Sequence, residues 1–317
     1  APIIFTTMVQ FLEVLFGGGT RGVRRMHNIA NSVLIFDEIQ CLPINCVHLF
    51  CNALQFLVDN TRTTALLCTA TQPLLDNLRF PEKGQLTFKP RHSLVEDVAG
   101  IFKELKRVQI VNKFRSQGWS DSAIAELALE QVDKKGNCLI IVNTKDWAKK
   151  IYERCSEKID KEALFHLSAS LCPAHRKKLL NAIQCRLKPA KSLPVLCIST
   201  QLIEAGVDID FNSVIRFFAG LDSIAQAAGR CNRNGKHPTA DVFVVNPEEE
   251  KISRLEDIKI GRDKALRIFS EAKDIDFLAP DIMERYFKYY FYDRADIMDY
   301  PLTAKQADRK STRLNSS

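Results

Sequence analysis

The chain has 317 residues, which exceeds the usual size of one domain and predicts two domains of roughly 100–200 residues each. Its 46% hydrophobic and 26% charged residues are typical of a globular protein and exclude a disordered or fibrous chain. No apolar run approaches the ~20 residues of a membrane-spanning helix. A net charge of +7 is compatible with a polyanionic partner.

The two ends of the chain and its cysteines set further expectations. The opening Ala-Pro-Ile-Ile-Phe has no initiating Met and no basic leader, so we expect a chain truncated at its start. Residues 305–317 are polar and aperiodic, and they resemble translated adapter sequence; a disordered native tail is the alternative. Ten cysteines without a Cys-x-x-Cys pair favour free thiols in a reducing cytoplasm.

Short apolar runs alternate with amphipathic stretches in residues 1–110, a pattern typical of a parallel sheet flanked by helices. The predicted strands are 3–5, 33–36 and 64–68. The predicted helices are 9–16 and 46–60, with a glycine-rich loop at 17–22. The sequence therefore predicts a first α/β domain over residues 1–110.

A second alternating series predicts another α/β domain over residues 111–247. Its predicted strands are 138–142, 164–167, 195–198, 214–218 and 240–245, and its predicted helices are 147–159, 174–187 and 223–231. Residues 248–304 are rich in Lys, Glu and aromatic residues, which predicts a helical appendage, followed by the tail 305–317.

Two carboxylates, Asp37 and Glu38, follow the apolar strand 33–36. Ligands of open parallel sheets bind at the carboxyl ends of strands. A nucleoside triphosphatase needs one acid to hold Mg²⁺ and another to orient the attacking water, and Asp37 and Glu38 suit these two roles in that order. The alternative is an exposed acidic turn.

Thr69 and Thr71 follow the next predicted strand, at the same edge of the sheet. Small hydroxylated residues there are candidates for coupling the metal site to a neighbouring domain. Thr71 precedes Gln-Pro and an amphipathic stretch, so a helix N-cap is the alternative.

Residues 199–210 follow a buried strand of the second series and combine hydroxyls, acids and a glycine. The glycine, Gly206, permits close approach to phosphates, and Asp208 is a candidate for contact with ribose or with the facing domain. An ordinary loop between two strands is the alternative.

Gln226, Arg230 and Arg233 recur at intervals of four and three, which predicts that they share one face of a helix. Two guanidiniums aimed in one direction suit the γ-phosphate as it gains charge, a service worth roughly 10³–10⁵ in rate. A solvated basic face is the alternative.

These segments, in this order, resemble four motifs of superfamily 2 helicases: motif II (37–40), motif III (69–71), motif V (199–210) and motif VI (226–233). Residues 4–11 and 26–43 further resemble the helicase part of the CRISPR-associated helicase-nuclease of type I interference systems. The most diagnostic stretch runs from His27 to Pro43.

The resemblance implies two RecA-like domains, the first incomplete, with a C-terminal helical linker. It implies an ATP- and Mg²⁺-dependent motor that is recruited to an RNA-guided surveillance complex and moves on displaced single-stranded DNA. A metal-dependent HD nuclease, which holds a divalent transition metal, cuts the DNA in such proteins.

The resemblance also implies roles for individual residues. The implied catalytic residues are Asp37 (also the Mg²⁺ ligand), Glu38, Gln40, Gln226, Arg230 and Arg233. The implied nucleotide-binding residues are Gly206, Asp208, Gln226, Arg230 and Arg233. The implied nucleic-acid contacts are Thr6, Thr7, Asn143, Thr144, Ser168 and Thr200, and the implied coupling residues are Thr69 and Thr71.

Two departures from the family pattern set limits on these expectations. No Gly-x-x-x-x-Gly-Lys-Ser/Thr loop occurs, and none of the six histidines is followed by Asp. We therefore expect that the chain alone neither hydrolyses ATP nor cuts DNA, and that its site exists only when the two domains close. The alternatives are another superfamily 2 motor acting on RNA or DNA, and a silent nucleic-acid-binding scaffold. The intact acids and arginines argue against the scaffold.

Overall fold

A computed structural model describes residues 3–17, 20–69, 74–89, 92–188, 193–204, 207–253, 255–271 and 275–300. The chain divides into two compact units, one formed by residues 1–96 with 287–317 and the other by residues 97–286. The predicted boundary at residue 110 would cut through a strand of the second unit, so the division falls earlier in the chain than we predicted. The tail 305–317 lies outside the described residues.

The first unit contains two parallel strands and the helices around them. Its elements are α1 (Met8–Phe16), α2 (Thr20–Met26), β1 (Val33–Phe36), α3 (Val47–Asn60) and β2 (Thr64–Leu67). The strands pair in register from Val33 with Thr64 to Phe36 with Leu67. A cluster of three aromatic rings, Phe11, Phe36 and Phe50, packs edge to face at centroid distances of 5.0–6.1 Å and forms the centre of the core.

Two predictions for the first unit were wrong. Residues 3–5 form no strand: they are irregular, and Phe5 is 96% exposed. Residues 20–22 belong to α2 and not to a loop. The strand β1 is covered on one face only, because side chains alternate along a strand and Val33 and Ile35 point away from the core that holds Phe36.

The second unit is built on a six-stranded parallel sheet with strand order β3-β8-β7-β4-β6-β5. The strands are β3 (Val108–Asn112), β4 (Asn137–Ile141), β5 (Leu164–Leu167), β6 (Val195–Ser199), β7 (Val214–Phe217) and β8 (Ala240–Val245). The helices from residue 97 onward are α4 (Val98–Glu104), α5 (Asp121–Lys135), α6 (Lys145–Ser156), α7 (Pro173–Leu187), α8 (Leu221–Ala228), α9 (Glu256–Glu271) and α10 (Pro280–Tyr292). The parallel α/β fold predicted from the sequence is confirmed.

Both faces of this sheet are buried. Cys138 and Ile140 of β4 face a core with α5 and α6, whereas Leu139 and Ile141 face a second core that includes Ile183 of α7. Burial on both faces explains why these strands read as unbroken apolar runs. Among the described residues, no helix is both long and apolar enough to cross a membrane.

One predicted helix ends earlier than its sequence pattern suggests. The prediction was 223–231, but α8 ends at Ala228, and the backbone N–H of Gly229 closes the last turn on the carbonyl of Ala225. The following Cys231 pairs instead with Phe211 in an isolated parallel bridge. This early end changes the positions of the arginines that follow.

Candidate active site

The acidic turn, residues 37–40, lies at the carboxyl end of β1, where the sequence predicts a metal and water site. The side chains of Asp37 and Glu38 are exposed. Glu38 has left-handed backbone angles (φ 53°), which are uncommon for a residue with a side chain, and its N–H donates to Asp37 Oδ1 at 3.0 Å. The turn therefore presents two carboxylates at the end of one strand.

A series of hydrogen bonds connects the acidic turn to the end of β2. The Gln40 amide nitrogen donates to the Glu38 carboxylate, and the Thr69 hydroxyl donates to the Gln40 amide oxygen. Parallel pairing brings these segments together, since Cys68 N donates to Phe36 O at 2.8 Å and Ile39 N donates to Cys68 O at 3.3 Å. The structure thus joins Glu38, Gln40 and Thr69, as their grouping in the sequence suggested. Thr71 lies outside the described residues.

The acidic turn offers oxygen donors of the kind that Mg²⁺ takes. Mg²⁺ prefers oxygen ligands and is often held by one or two carboxylates together with phosphate oxygens and water. The exposed carboxylate of Asp37 can supply one such ligand. In the described ranges no cluster of three or more His, Cys, Asp or Glu side chains could hold a metal ion.

The two predicted DNA-contacting threonines near the start of the chain differ in their surroundings. Thr7 is the N-cap of α1, where its hydroxyl accepts a hydrogen bond from Gln10 N at 3.2 Å. Thr6 is exposed. The Thr7 hydroxyl therefore accepts a hydrogen bond within the fold, and nucleic-acid contact by Thr6 and Thr7 stays a prediction.

The second group of predicted site residues follows α8. The prediction that Gln226, Arg230 and Arg233 share one helix face was wrong, because the helix ends at Ala228. Arg230 is 8% exposed, and its guanidinium donates to the carbonyl oxygens of Glu204 at 2.6 Å and Val207 at 2.5 Å. The buried Arg230 guanidinium therefore binds backbone carbonyls of motif V. Gln226 is half-buried on α8.

Arg233 has a different environment. Its side chain is 44% exposed, and its Nε lies 3.2 Å from Oδ1 of the exposed Asp208. Its backbone N–H donates to Asp210 Oδ1 at 2.7 Å. Arg233 and Asp208 are thus the members of the predicted nucleotide-binding set that reach the surface, whereas Gly206 lies outside the described residues.

Backbone hydrogen bonds join Phe211, which directly follows motif V, to the arginine segment, residues 226–234. Phe211 N donates to Arg230 O at 2.9 Å, and Asn232 N donates to Phe211 O at 2.8 Å. Together with the two bonds from the Arg230 guanidinium, these contacts hold the two segments in a fixed arrangement.

The remaining predicted nucleic-acid contacts are largely turned inward. The Asn143 side chain is buried: its oxygen accepts from Arg216 Nη1 at 2.6 Å, and its nitrogen donates to Phe218 O at 3.0 Å and Glu250 Oε2 at 3.2 Å. Thr144 is the N-cap of α6, and Ser168 and Thr200 are buried. Nucleic-acid contact by these four residues stays a prediction.

Sequence reasoning missed the most deeply buried charges of this region. Arg216 is fully buried on β7, and its Nε lies 2.8 Å from Oε1 of the buried Glu204. Burial raises the pKa of Glu204 to about 7, and the nearby Arg216 opposes that rise. An arginine inside the apolar run 214–218 was the available signal, because a charge is rarely buried without a partner.

The parallel sheet has helices on both faces and motif segments at the carboxyl ends of its strands, as in a RecA-like fold. The family model described as "CRISPR-associated nuclease/helicase Cas3, C-terminal" matches residues 134–236. The resemblance inferred from the motifs is confirmed as a similarity to Cas3 proteins, which the family model, the curated relatives and the solved structures share.

Individual relatives agree with this placement. The CRISPR-associated nuclease/helicase Cas3 of Methanothermobacter thermautotrophicus is 26% identical over 242 residues, covering 74% of this chain and 28% of the relative. The crystal structure of T. fusca Cas3 with ATP superposes with a TM-score of 0.66 at 16% identity, covering 96% of this chain and 39% of that one. A chain of a structure described as a CRISPR RNA-guided surveillance complex, pre-nicking, gives a TM-score of 0.56 at 16% identity, with 96% and 42% coverage. At these identities the structures show a shared fold, and the chain spans less than half of each protein.

Proposed function

We propose that this chain supplies the motor part of an ATP-dependent helicase that moves on single-stranded DNA and works with an RNA-guided CRISPR surveillance complex. The observation that carries the proposal is the hydrogen-bonded series from Thr69 through Gln40 to Glu38, beside the exposed carboxylate of Asp37. It holds one acid in a defined orientation and leaves the pair open to a substrate, as phosphoryl transfer to water requires.

The roles of the acidic turn follow from this geometry. Asp37 would hold Mg²⁺, which when bound offsets the negative charge of the phosphates. Glu38 would accept a hydrogen bond from the attacking water and orient it. Gln40 would fix the Glu38 carboxylate, and Thr69 would fix Gln40 in turn.

The two arginines take different roles in this proposal. Arg233 is partly exposed and would contribute positive charge to the γ-phosphate during hydrolysis. Arg230 donates to two loop carbonyls, so its role would be to hold the motif V loop in shape. Asp208, paired with Arg233, would restrain that arginine until a nucleotide competes for it.

The partners are proposed from the relatives and from charge. The net charge of +7 suits a nucleic-acid backbone. A chain of similar fold occurs in the surveillance-complex structure, which supports a surveillance complex as the recruiting partner. Degradation of invading DNA is proposed for the complete gene product, in which we expect the HD signature that these 317 residues lack.

ATP hydrolysis by the complete gene product tests the proposal. We expect single-stranded DNA to stimulate hydrolysis, and Glu38→Gln to lower the stimulated rate by about 10²-fold or more, as loss of a general base does. Glu82→Gln, which removes another exposed carboxylate of the first unit, is the matched control and should leave the rate unchanged.

The nucleic acid added to the assay separates the alternatives. Stimulation by single-stranded RNA in place of DNA would indicate a different superfamily 2 motor. Absence of hydrolysis with either nucleic acid would indicate a silent scaffold. Binding of the complete gene product to a surveillance complex with an open R-loop, compared with the complex without target, tests the recruiting partner.

A further inference from the structure

Arg216 is the most unusual charge in the fold. It lies on β7 in the middle of the sheet, between β8 and β4, and is 0% exposed. Its Nε lies 2.8 Å from Glu204 Oε1, and its Nη1 donates to Asn143 Oδ1 at 2.6 Å and to Phe217 O at 2.9 Å. One guanidinium therefore joins the ends of β4 and β7 to the loop that follows β6.

Such a buried pair is a poor way to stabilise a sheet. Removing both charges from water costs several kcal/mol per ion, and a hydrophobic pair of similar volume is often as stable or more so. The rest of β7 is apolar and fully buried, so packing alone would seat this strand. The ion pair instead fixes the position of the Glu204 side chain relative to the sheet.

Glu204 is held from two sides. Its side chain meets Arg216, and its backbone carbonyl accepts from the Arg230 guanidinium at 2.6 Å. The preceding turn is also closed by Glu204 N, which donates to Gln201 O at 3.0 Å. Glu204, near the middle of motif V, is thus held by its side chain, its carbonyl oxygen and its backbone N–H.

The same network extends to the helical segment after the sheet. Asn143 donates to Glu250 Oε2 at 3.2 Å, and Arg262 Nη1 on α9 lies 4.0 Å from that oxygen. Gly261 seats α9 closely, because a Cβ there would lie 3.2 Å from Gly220 Cα. The side chain of Glu250 is 2% exposed, so this connection is internal as well.

We propose that Arg216 is a positioning residue: through Glu204 it fixes the motif V loop for ATP hydrolysis, and through Asn143 and Glu250 it links that loop to α9. The proposal rests on the proposed function for the hydrolysis step only. Its structural half, the fixing of the loop, holds for any activity of the fold.

The test compares removal of one partner with removal of both. Arg216→Met alone leaves Glu204 buried without its partner, and we expect this variant to unfold readily. Arg216→Met combined with Glu204→Leu removes both charges and should keep the second unit folded. The combined variant therefore separates positioning from stability.

Two readouts are measured on the combined variant of the complete gene product. We expect backbone amides of residues 201–204 and 207–210 to exchange with deuterium at least about tenfold faster. We expect kcat with single-stranded DNA to fall about tenfold or more, within the ~10²-fold that a 1 Å misplacement can cost. The single variant Arg216→Lys, which keeps the charge but loses the forked donor, should recover part of kcat.

A surface ion pair of similar geometry provides the control. Arg154 Nε lies 2.9 Å from Asp121 Oδ2, and Arg154→Met with Asp121→Asn should change neither readout. Unchanged exchange in the folded Arg216→Met, Glu204→Leu variant would overturn the proposal. Faster exchange with unchanged kcat would overturn its role in hydrolysis.

Failure of the proposed function looks different. In that case the wild-type protein hydrolyses no ATP, while the exchange rates still decide whether Arg216 fixes the loop.

Discussion

The acidic turn of the first unit and the arginine segment of the second unit hold their charged groups in opposite ways. Asp37 and Glu38 are exposed; Asp37 accepts from the Glu38 backbone N–H, and Glu38 accepts from the Gln40 amide. Arg230 is buried, and its guanidinium donates hydrogen bonds to two backbone carbonyls of motif V. Arg233, three residues further on, is exposed again. Membership in a motif therefore does not determine whether a charge acts on a ligand or on the fold, whereas burial and hydrogen-bond partners do.

The largest effect is expected from replacing the exposed arginine, Arg233. Arg233→Ala should lower kcat for ATP hydrolysis by about 10³-fold, the lower end of the effect of an arginine that stabilises the transition state. Nucleotide binding should weaken far less. Steady-state kinetics of the complete gene product measure both, and equal losses in kcat and binding would make Arg233 a binding residue only.

The buried arginine should affect stability first. Arg230→Ala leaves the buried carbonyl of Glu204 and the part-buried carbonyl of Val207 without their charged donor, which costs about 3 kcal/mol in the free energy of unfolding of the second unit. Arg233→Ala, the matched control, should change it by about 0.5 kcal/mol or less, since its ion pair with Asp208 is exposed. Both tryptophans, Trp119 and Trp147, are buried in the second unit, so their fluorescence during urea unfolding reports on it selectively. Equal stability of the two variants would contradict the assignment.

The sequence predicted most of the second sheet because its strands are buried on both faces. Apolar runs such as 195–198 and 214–218 have little alternative to a central parallel strand. The run 3–5 has the same character but lies beside no strand in the described part of the chain, and three apolar residues do not specify a partner.

The site was harder to predict than the sheet. The acids at 37 and 38 were located correctly because a strand end determines their position. The arginine spacing was misread because Gly229 was taken as a helical residue, whereas it closes the last turn. Arg216 was missed because one charge in an apolar strand gives no hint of its partner, which lies twelve residues earlier on another element.

The buried acid Glu204 should make the stability of the second unit depend on pH. Its pKa of about 7 in the folded state lies above its ordinary value of 4.5, mainly because of burial. The folded state then binds more protons than the unfolded state between these pH values. The contribution of Glu204 to the free energy of unfolding is therefore fully present below pH ~4.5 and is lost as pH rises through ~7. The combined Arg216→Met, Glu204→Leu variant, which leaves neither charge buried without its partner, should remove this decline, on the order of 3 kcal/mol, from the urea unfolding of the second unit.

The exposed carboxylates provide the contrast. Glu82→Gln, a change on the surface of the first unit, should leave that pH profile as it is. A profile that keeps its full slope in the combined Arg216→Met, Glu204→Leu variant would assign the decline to another group, such as Glu250, whose pKa is also raised by burial.

The smallest effect concerns the hydrogen bonds that orient the acidic turn. Gln40→Ala removes the donor to Glu38 and the acceptor for Thr69, and we expect kcat to fall about threefold to tenfold, equivalent to about 1 kcal/mol for a neutral hydrogen bond. Thr69→Val should have a smaller effect, because Gln40 still reaches Glu38. If the two act in series, the double variant should be no worse than Gln40→Ala alone. Additive losses would instead mean that Thr69 contributes to hydrolysis by a route that bypasses Glu38, and the exposed acids would then be oriented by the turn itself.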